Sequence, residues 1–404
     1  MAVTNATIRA VNDLTARWAG ASQGGTVFSA AGVWPLLAFL ADGAGGAARS
    51  ELAEAVGMPA EEAAGAAREL LAAMGRMRGL DSALGLWTKR TLGLRERWEA
   101  GLPLEAHGVL TGDVGVDKGA LDAWAVKRTG GLIEEMPVQV AEDTEMVLAS
   151  ALALRTEWLR PFWDWPLWPE TGPWQGRKLA GLHRSSELLD RVGVAATPDG
   201  HVTELKVLGD NAIDVHLLLG EERMTPGQVL GAGVDILARR CAVVSGPQLP
   251  YGEVGPGLVV ERVRSATPDP PILDVTTVAF DMSAKHDLLM LHRLFGLTAA
   301  RDASRGHFPD ISASPLAIGS ARQSAMAKFT ALGFRAAAVT AIGAVGAGVP
   351  RLRWVTTRID ATFDRPFGFL AVHRHSRLVL ASGWVTDPTE YPEDPEYGED
   401  DEDF

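Results

Sequence analysis

The sequence has almost no cysteine and no long apolar run. A single cysteine among 404 residues, Cys241, cannot form an internal disulfide, so the fold does not depend on an oxidising compartment. We expect Cys241 to be a small buried residue rather than a nucleophile. No run of about 18 uncharged apolar residues occurs, which argues against a membrane span. Residues 1–20 read as an amphipathic helix rather than an export signal, so we expect a cytoplasmic protein.

Positive charge is also scarce, with 38 Lys and Arg against 51 Asp and Glu and a net charge of −13. Ten of the acids lie in residues 387–404, which contain no Lys or Arg, and this leaves only −3 for the remainder. Such a balance excludes a basic surface for nucleic acid. Because prolines are interspersed among these acids, we expect a solvated, disordered tail beyond a single domain of residues 1–386.

Apolar residues make up 47% of the chain, enough for a large core. Helical patterns are predicted for 1–20, 33–40, 48–56, 60–78, 95–102, 121–135 (broken near 130–131) and 288–297. Strands are predicted at 26–29, 84–87, 144–158, 201–209, 212–220, 258–266, 272–282, 316–318, 369–372 and 378–385. The pattern predicts an intermixed α+β fold with several sheets and helices packed on one side.

Three local patterns are weak signals of chemistry. Residues 43–48 match a dinucleotide-type GxGxxA, but helical rather than strand-like sequence follows, which argues against a Rossmann unit. His373 and His375 form an HxH pair without a third ligand, so we predict a hairpin turn rather than a metal site. Four tryptophans between prolines could stack a planar ligand, although packing of a long connection is favoured. They are Trp163, Trp165, Trp168 and Trp174.

Residues 323–350 could lie either inside a sheet or in an exposed loop. The stretch begins like a strand, passes through Gly333, and continues in Ala, Thr and Gly residues that fit both a sheet interior and an exposed loop. If the segment moves from the exposed loop into the sheet, we expect this movement to be the basis of the function.

Several separated stretches resemble one family, the serpins, in the right order over nearly the whole chain. The stretches are VFSAAGVWPLLAFLADGAGG, LDAWAVKRTGGLI, VLASALALRTEWLRPF, TTVAFDMSAKHDL and FDRPFGFLAVHRHSRLVLASGWVTDP. Matching positions include Trp124, Thr129, Gly131, Ile133, Ala151, Trp158, Pro161 and Phe162.

The resemblance, which is to bacterial intracellular members, implies about three sheets, eight or nine helices and an exposed reactive loop. An inhibitory serpin offers this loop to a serine or cysteine protease. After cleavage the hinge side of the loop enters the main sheet as a new strand, and the trapped acyl-enzyme is distorted before water can release it. No cofactor is implied, and we expect a monomer.

The resemblance places the hinge at Gly333, Phe334, Arg335, Ala336, Ala337, Ala338, Val339 and Thr340. Phe334 stands where the family has a small residue, and Arg335 where it has an acid. Side chains alternate in a strand, so Phe334 would face the core and Arg335 the solvent. Overpacking a closed core by so large a group costs about 1–3 kcal/mol, so we predict that Phe334 slows insertion.

The usual hinge length places the cleaved bond near Ala347 and Gly348. Small residues there favour an elastase-like or subtilisin-like protease. Gly333 and Pro366 are separated by more residues than is common in the family, and Arg351 and Arg353 would instead suit a trypsin-like enzyme. The sequence leaves both open, along with a loop of no recognition value.

The resemblance also identifies the region that keeps the main sheet shut, namely Ser29, Gly32, Ser150, Trp158 and Gln323. Gly32 stands where the family favours Ser, Ser150 where it has Asn, and Gln323 where it favours His. These changes predict reduced hydrogen bonding across the strands, and they leave open whether the resting sheet is looser or is held shut by different bonds.

Three functions follow as hypotheses. The hinge alanines favour a serine protease inhibitor, whereas Phe334 and Arg335 favour a non-inhibitory serpin that binds a partner. An enzyme that uses the tryptophan-rich connection or scattered histidines has no catalytic triad, metal spacing or phosphate loop to support it. Those histidines are His183, His216, His286 and His307.

Overall fold

The computed structural model describes residues 3–103, 106–302, 304–334 and 353–392. These ranges contain seven α-helices: α1 (Asn5–Ala21), α2 (Ala30–Gly43), α3 (Gly46–Val56), α4 (Ala60–Met74), α5 (Glu96–Glu99), α6 (Val114–Thr129) and α7 (Pro226–Leu237). Short 3-10 helices lie at Leu189–Arg191, Gly246–Gln248 and Ala299–Arg301.

Twenty strands alternate with these helices in the described ranges. They are β1 (Thr26–Phe28), β2 (Leu80–Lys89), β3 (His107–Leu110), β4 (Met146–Leu154), β5 (Thr156–Glu157), β6 (Trp163–Leu167), β7 (Leu179–Ser186), β8 (Val192–Thr197), β9 (Gly200–Val207), β10 (Ile213–Gly220), β11 (Val243–Ser245), β12 (Gly252–Gly255), β13 (Leu258–Ser265), β14 (Ile272–Val278), β15 (Phe280–Asp287), β16 (Ser320–Phe329), β17 (Gly333–Phe334), β18 (Trp354–Thr362), β19 (Phe367–His373) and β20 (Leu378–Val385).

The strands form three sheets. The core sheet has the order β1-β20-β19-β10-β9-β8-β11, and the side sheet has the order β12-β13-β18-β14-β7-β6. The main sheet runs β3-β2-β4-β16-β17-β5, with β15 on the other edge of β16. Helix α6 packs across β2 and β4 of the main sheet. The predicted α+β fold with about three sheets is confirmed.

The centre of the main sheet is a parallel pair, β4 beside β16. The register runs from Ser320 opposite Val147 to Ala325 opposite Leu152. All nine residues of β4 are buried, as expected for a strand covered on both faces. Beyond this register the carboxyl ends of the two strands separate, and β17 lies between β16 and β5.

The core lies between the main sheet and the core sheet, which contains the predicted apolar hairpin of β19 and β20. Phe280 of β15 stacks on Phe329 of β16 (ring centroids 5.3 Å apart) and on Phe369 of β19 (5.2 Å). Aromatic contacts of this kind add to the free energy gained by burying the rings. They fix the spacing between the two sheets.

Several local predictions are wrong in detail. Residues 288–297 form turns rather than a helix, because bonds such as Leu291 N–H to Leu288 O span three residues, and Gly296 takes a left-handed φ of 66°. Residues 316–318 are not a strand, and β16 begins at Ser320. Cys241 is only partly buried, because its position after α7 leaves Sγ at 3.3 Å from Ala196 O near the surface.

The tryptophan-rich connection contains an edge strand. Trp163 and Trp165 lie on β6 and are largely exposed, whereas Trp174 is buried and donates from Nε1 to Thr386 O (2.8 Å). Within the described ranges, no helix has both the length and the apolar character needed to cross a membrane.

Residues 387–391, which the sequence analysis assigned to the disordered tail, contact the side sheet. Thr389 accepts from Ala180 N–H and donates to Ala279 O, both at 2.9 Å, while Tyr391 N–H donates to Lys178 O at 3.0 Å. Residues 387–391 therefore extend the side sheet at the start of β7, because β14 ends there and leaves its neighbour's backbone groups unpaired. Residues 393–404 lie outside the described part of the chain.

We predict that ending the chain after Thr386 lowers the free energy of unfolding by about 3 kcal/mol. The deletion removes three backbone hydrogen bonds worth roughly 1 kcal/mol each. Urea denaturation measures the change. A chain ending after Pro392 is the matched control and should unfold like the full chain, and equal stability of all three chains would contradict the assignment of residues 387–391 to the sheet.

Candidate functional site: the hinge and the strand-opening cluster

A buried amide connects the two central strands to the start of α2. Gln323 Oε1 accepts from Ser29 N–H, and Gln323 Nε2 donates to Ser29 O, both at 2.8 Å. Gln323 Nε2 also lies 3.4 Å from Ser150 Oγ on β4. All three residues are buried. The side chain of Gln323 thus satisfies both backbone groups of one residue, which a rigid α2 start presents to it.

Ser29 extends this network to the core sheet. Its hydroxyl caps α2 by accepting from Gly32 N–H (3.1 Å) and donates to Leu380 O (2.6 Å) on β20. Between β4 and β16 the side chains of this cluster form one bond, from Gln323 Nε2 to Ser150 Oγ at 3.4 Å, so reduced bonding across the strands stays a prediction. The amide of Gln323 makes two short bonds to Ser29, and the resulting cluster joins the main sheet, the core sheet and α2.

The absence of a side chain at Gly32 is explained by Ser150, which lies beside it on β4. A Cβ atom at position 32 would lie 2.6 Å from Ser150 Oγ, far inside contact distance. The hydroxyl of Ser150 therefore occupies the space that a side chain at position 32 would need. Ser150 and Gly32 form a complementary pair, so the two departures from the family pattern compensate each other.

His286 lies beside the cluster, opposite Gln323 in the β15–β16 register. Its Nε2 donates to Val27 O (2.8 Å), and its ring meets the edge of Trp18 at 5.1 Å. Burial lowers the pKa of His286 below the ordinary value of 6.5, and the bond to Val27 offsets this only in part. The sequence analysis grouped His286 only with scattered histidines, because its partner is a backbone carbonyl without a sequence signal.

The turn that leads into the hinge is held by Trp158. The Trp158 indole N–H donates to Thr330 O (2.9 Å), and its backbone N–H donates to Leu332 O (2.9 Å). Phe162 N–H donates to Ala331 O (2.8 Å). The three carbonyl groups of residues 330–332 are thereby fixed by the chain that follows β5. The carbonyls of this turn could not be identified from sequence, whereas Trp158 could.

The hinge has already entered the main sheet at its first two residues. Gly333 pairs with Glu157, and Phe334 pairs with Thr156 on one side and Phe329 on the other. A Cβ atom at Gly333 would lie 2.4 Å from Thr156 O, so a side chain there would collide with backbone. The first position of the hinge is therefore restricted to glycine by close strand packing.

Phe334 is buried, with 1% of its surface exposed, and its ring lies 6.0 Å from that of Phe369. The sequence analysis predicted that this side chain opposes entry into the sheet, yet it already lies inside. Overpacking is avoided because Phe334 lies where the carboxyl ends of β4 and β16 have separated and the aromatic cluster of the core is open to another ring.

The rest of the predicted loop lies outside the described residues. These are Arg335, Ala336, Ala337, Ala338, Val339, Thr340, Ala347, Gly348 and Arg351. Arg353, the next candidate for the cleaved bond, is exposed immediately before β18.

The other candidate groups are not brought together. His373 and His375 occupy the predicted turn, where His373 Nδ1 lies 2.8 Å from Ser376 Oγ. His216 pairs with Glu204 (2.7 Å) in the core sheet, far along the chain from His183 of the side sheet. In the part of the chain that is described, no three His, Cys, Asp or Glu side chains are placed to share a metal ion.

Comparison with known proteins identifies the relatives of this architecture. A model of the family described as serpin (serine protease inhibitor) matches residues 2–164. The chain is 26% identical over 389 residues to putative serpin-Z6A of Oryza sativa subsp. japonica, covering 90% of this chain and 93% of that protein.

Solved structures share the fold at lower identity. Thyroxine-binding globulin in complex with thyroxine aligns with a TM-score of 0.69 and 17% identity, over 95% of this chain and 99% of that one. The thermophilic serpin Tengpin in its native state aligns with a TM-score of 0.71 and 14% identity, over 95% and 94%. At these identities the likeness establishes the fold alone.

The Gly32–Ser150 pair can be tested by a double-mutant cycle. We predict that Gly32→Ala destabilises the protein by about 1–3 kcal/mol through overpacking against the Ser150 hydroxyl. Adding Ser150→Ala should restore most of that loss, because it removes the colliding atom and leaves the helix-favouring alanine. Urea denaturation of both single variants and the double variant gives the coupling, and additive effects would show that the two residues do not compete for space.

The pKa of His286 predicts a pH dependence of stability. Because the folded pKa is lowered, the unfolded chain takes up this proton first, so stability present above about pH 6.5 is lost as pH falls towards the folded pKa. His286→Gln keeps a donor for Val27 O and should reduce the loss between pH 7.5 and 5.5.

His292→Gln, a change on the turn after β15, is the matched control and should leave the pH dependence of the wild type. His107 and His373, whose pKa values are also lowered by burial, supply the slope that remains in His286→Gln. Urea midpoints across this pH range provide the measurement. An unchanged slope in His286→Gln would remove His286 from the account.

Proposed function

We propose that this chain is a member of the serpin family and a serine protease inhibitor that works by inserting its cleaved loop into the main sheet. The observation that carries the proposal is the position of Gly333 and Phe334 between β5 and β16. They lie at the entrance to the place that an inserted strand would occupy. Next to this position along the two strands, β4 and β16 still pair directly with each other, from Ser320 to Ala325 on β16.

Insertion would exchange one strand pairing for two. The parallel ladder between β4 and β16 would open, and the incoming strand would pair antiparallel with both, as β17 already pairs with β5 and β16. Antiparallel pairing is slightly more stable per residue than parallel pairing, and the number of ladder bonds would rise. Continuing the alternation inward from Phe334 would bury Ala336, Ala338 and Thr340, all small.

The protease supplies the covalent chemistry in this proposal. Its nucleophilic serine attacks the loop carbonyl, forms an ester and releases the new amino end. Strand insertion would then carry the ester away with the protease before water hydrolyses it. The strand-opening cluster of Ser29, Gly32, Ser150 and Gln323 would set how readily the sheet admits the strand, because Gln323 and Ser150 lie opposite each other where β4 and β16 would have to separate.

The loop sequence leaves two classes of target protease open. Cleavage near Ala347 and Gly348 would suit an elastase-like or subtilisin-like enzyme, and cleavage at Arg351 or Arg353 a trypsin-like enzyme. A monomer, a cytoplasmic location and a bacterial source stay predictions. The curated relative is a rice protein, and its source carries no information on this chain.

A non-inhibitory binding protein is the second candidate, and Phe334 favours it. The buried side chain of Phe334 holds the start of the hinge in the main sheet. If this contact keeps the loop in one conformation, the protein would bind a partner without inserting the loop. Thyroxine-binding globulin, solved in complex with thyroxine, shows that the fold also occurs in a protein that binds a small molecule. A family described as serine protease inhibitors gives no support to an enzyme.

We predict that the full chain forms a complex with pancreatic elastase or subtilisin that survives boiling in detergent. Phe334→Asp should still be cleaved but should raise the inhibitor consumed per protease by at least about tenfold, because a carboxylate cannot enter the buried site without a large desolvation cost. Gel electrophoresis and titration of residual protease activity measure both effects.

Leu332→Asp is the matched control, since Leu332 is partly exposed on the same turn and stays outside the inserted strand. It should form the complex like the wild type. Cleavage of the wild type by both enzymes and by trypsin without any stable complex, and with no rise in melting temperature, would reject inhibition and favour the binding protein.

A further inference from the structure

Four cationic side chains surround a cavity of about 210 Å³ beside the hinge turn, where β7, β9 and β14 meet. They are Arg160, Arg184, Arg191 and Lys206. Ser186 adds a hydroxyl group, and the buried side chains of Leu273 and Val275 form an apolar wall. The cavity is therefore positively charged on one side and apolar on the other.

Arg184 is the most buried of the four, with 8% of its surface exposed. One guanidinium nitrogen donates to Arg160 O (2.7 Å), and the group lies 4.2 Å from the centre of the Phe162 ring. Its Nε has no hydrogen-bond partner among the described residues. Burial, followed by repulsion from Arg160 and Arg191, lowers the pKa of Arg184 to about 10, which leaves it charged at neutral pH.

The nearby acids do not balance these charges. The carboxylate of Asp190 is 3.7 Å from Arg191 Nε, beyond hydrogen-bond reach, and that buried Nε is also without a partner in the described chain. Glu204 contacts Lys206 at 3.3 Å but is shared with His216. Two acids against four cationic side chains leave an excess of two positive charges.

An unpaired charge of this kind is costly to bury. A guanidinium removed from water loses several kcal/mol of solvation unless a counter-charge or hydrogen bonds replace it. An anion bound in the cavity would supply a counter-charge to Arg184 and Arg191. Its attraction would be strengthened by the low dielectric of the apolar wall.

We propose that this cavity is a binding site for a tetrahedral oxyanion, either inorganic phosphate or the phosphate group of a small metabolite. A dianion matches the excess charge, and planar guanidinium groups suit phosphate oxygens. A single water takes about 30 Å³ of liquid volume, so the cavity holds a phosphate with a few waters and excludes a large polyanion. The inference goes beyond the proposed inhibition and needs no protease for its test.

The test is calorimetric titration of the full chain with inorganic phosphate, against chloride at equal ionic strength. We expect one saturable site for phosphate and none for chloride, with a rise in melting temperature that follows phosphate concentration. Glycerol phosphate in place of phosphate distinguishes the sources, because weaker binding identifies the free ion and equal or tighter binding identifies an ester.

Arg184→Met removes the charge and keeps much of the length of the side chain. It should weaken phosphate binding by about tenfold or more, as expected when a charged hydrogen-bond partner is lost. Arg305→Met, at an exposed arginine on another turn, is the matched control and should bind like the wild type. If Arg184→Met does not fold, Arg191→Met makes the same test.

Phosphate binding that is absent, or equal in the wild type and Arg184→Met, would overturn the proposal. Loss of protease inhibition would not, since the titration measures the cavity alone.

Discussion

The protein depends on the parallel pairing of β4 and β16. These strands bond directly to each other, although the segment that would insert between them begins next to them at β17. β4 and β16 share six register positions, with Gln323 Nε2 at 3.4 Å from Ser150 Oγ between them, and Gln323 also binds Ser29 at the start of α2. A parallel ladder is slightly weaker per residue than an antiparallel one. The buried cluster at its centre therefore has to be strong enough to keep the strands together and local enough to be lost in one step.

The fold was largely predictable because its strands are apolar at strand length and its helices are amphipathic. The β19–β20 hairpin and the buried β4 follow directly from such patterns. Prediction failed where apolar spacing alone was used, as at 288–297, because turns can bury the same leucines as a helix. The assignment of residues 387–391 to the tail was wrong because backbone groups near β7 bond to them and Arg177 pairs with Asp387 and Glu390, contacts that the local sequence does not indicate.

The candidate site was predictable in membership and not in geometry. Ser29, Ser150 and Gln323 were identified by resemblance, but the fit of Gly32 against the Ser150 hydroxyl depends on two elements that are remote in sequence. The location of Phe334 depends likewise on how far β5 and β16 separate and on a ring, Phe369, from another sheet. The cationic cavity has no sequence signal, because its four charges come from separate segments of the chain.

The pairing of Gly333 and Phe334 in the main sheet also affects which step of strand insertion would be slow. When a flexible segment joins a sheet, the first contact is slow because it costs the most conformational entropy. Later residues add more easily to the pairing that already exists. Gly333 and Phe334 already bond to the chain on both sides, so an inserting strand would start from a formed end. Its rate would then be set by how quickly β4 and β16 part, ahead of a growing strand, rather than by how often the loop finds the gap.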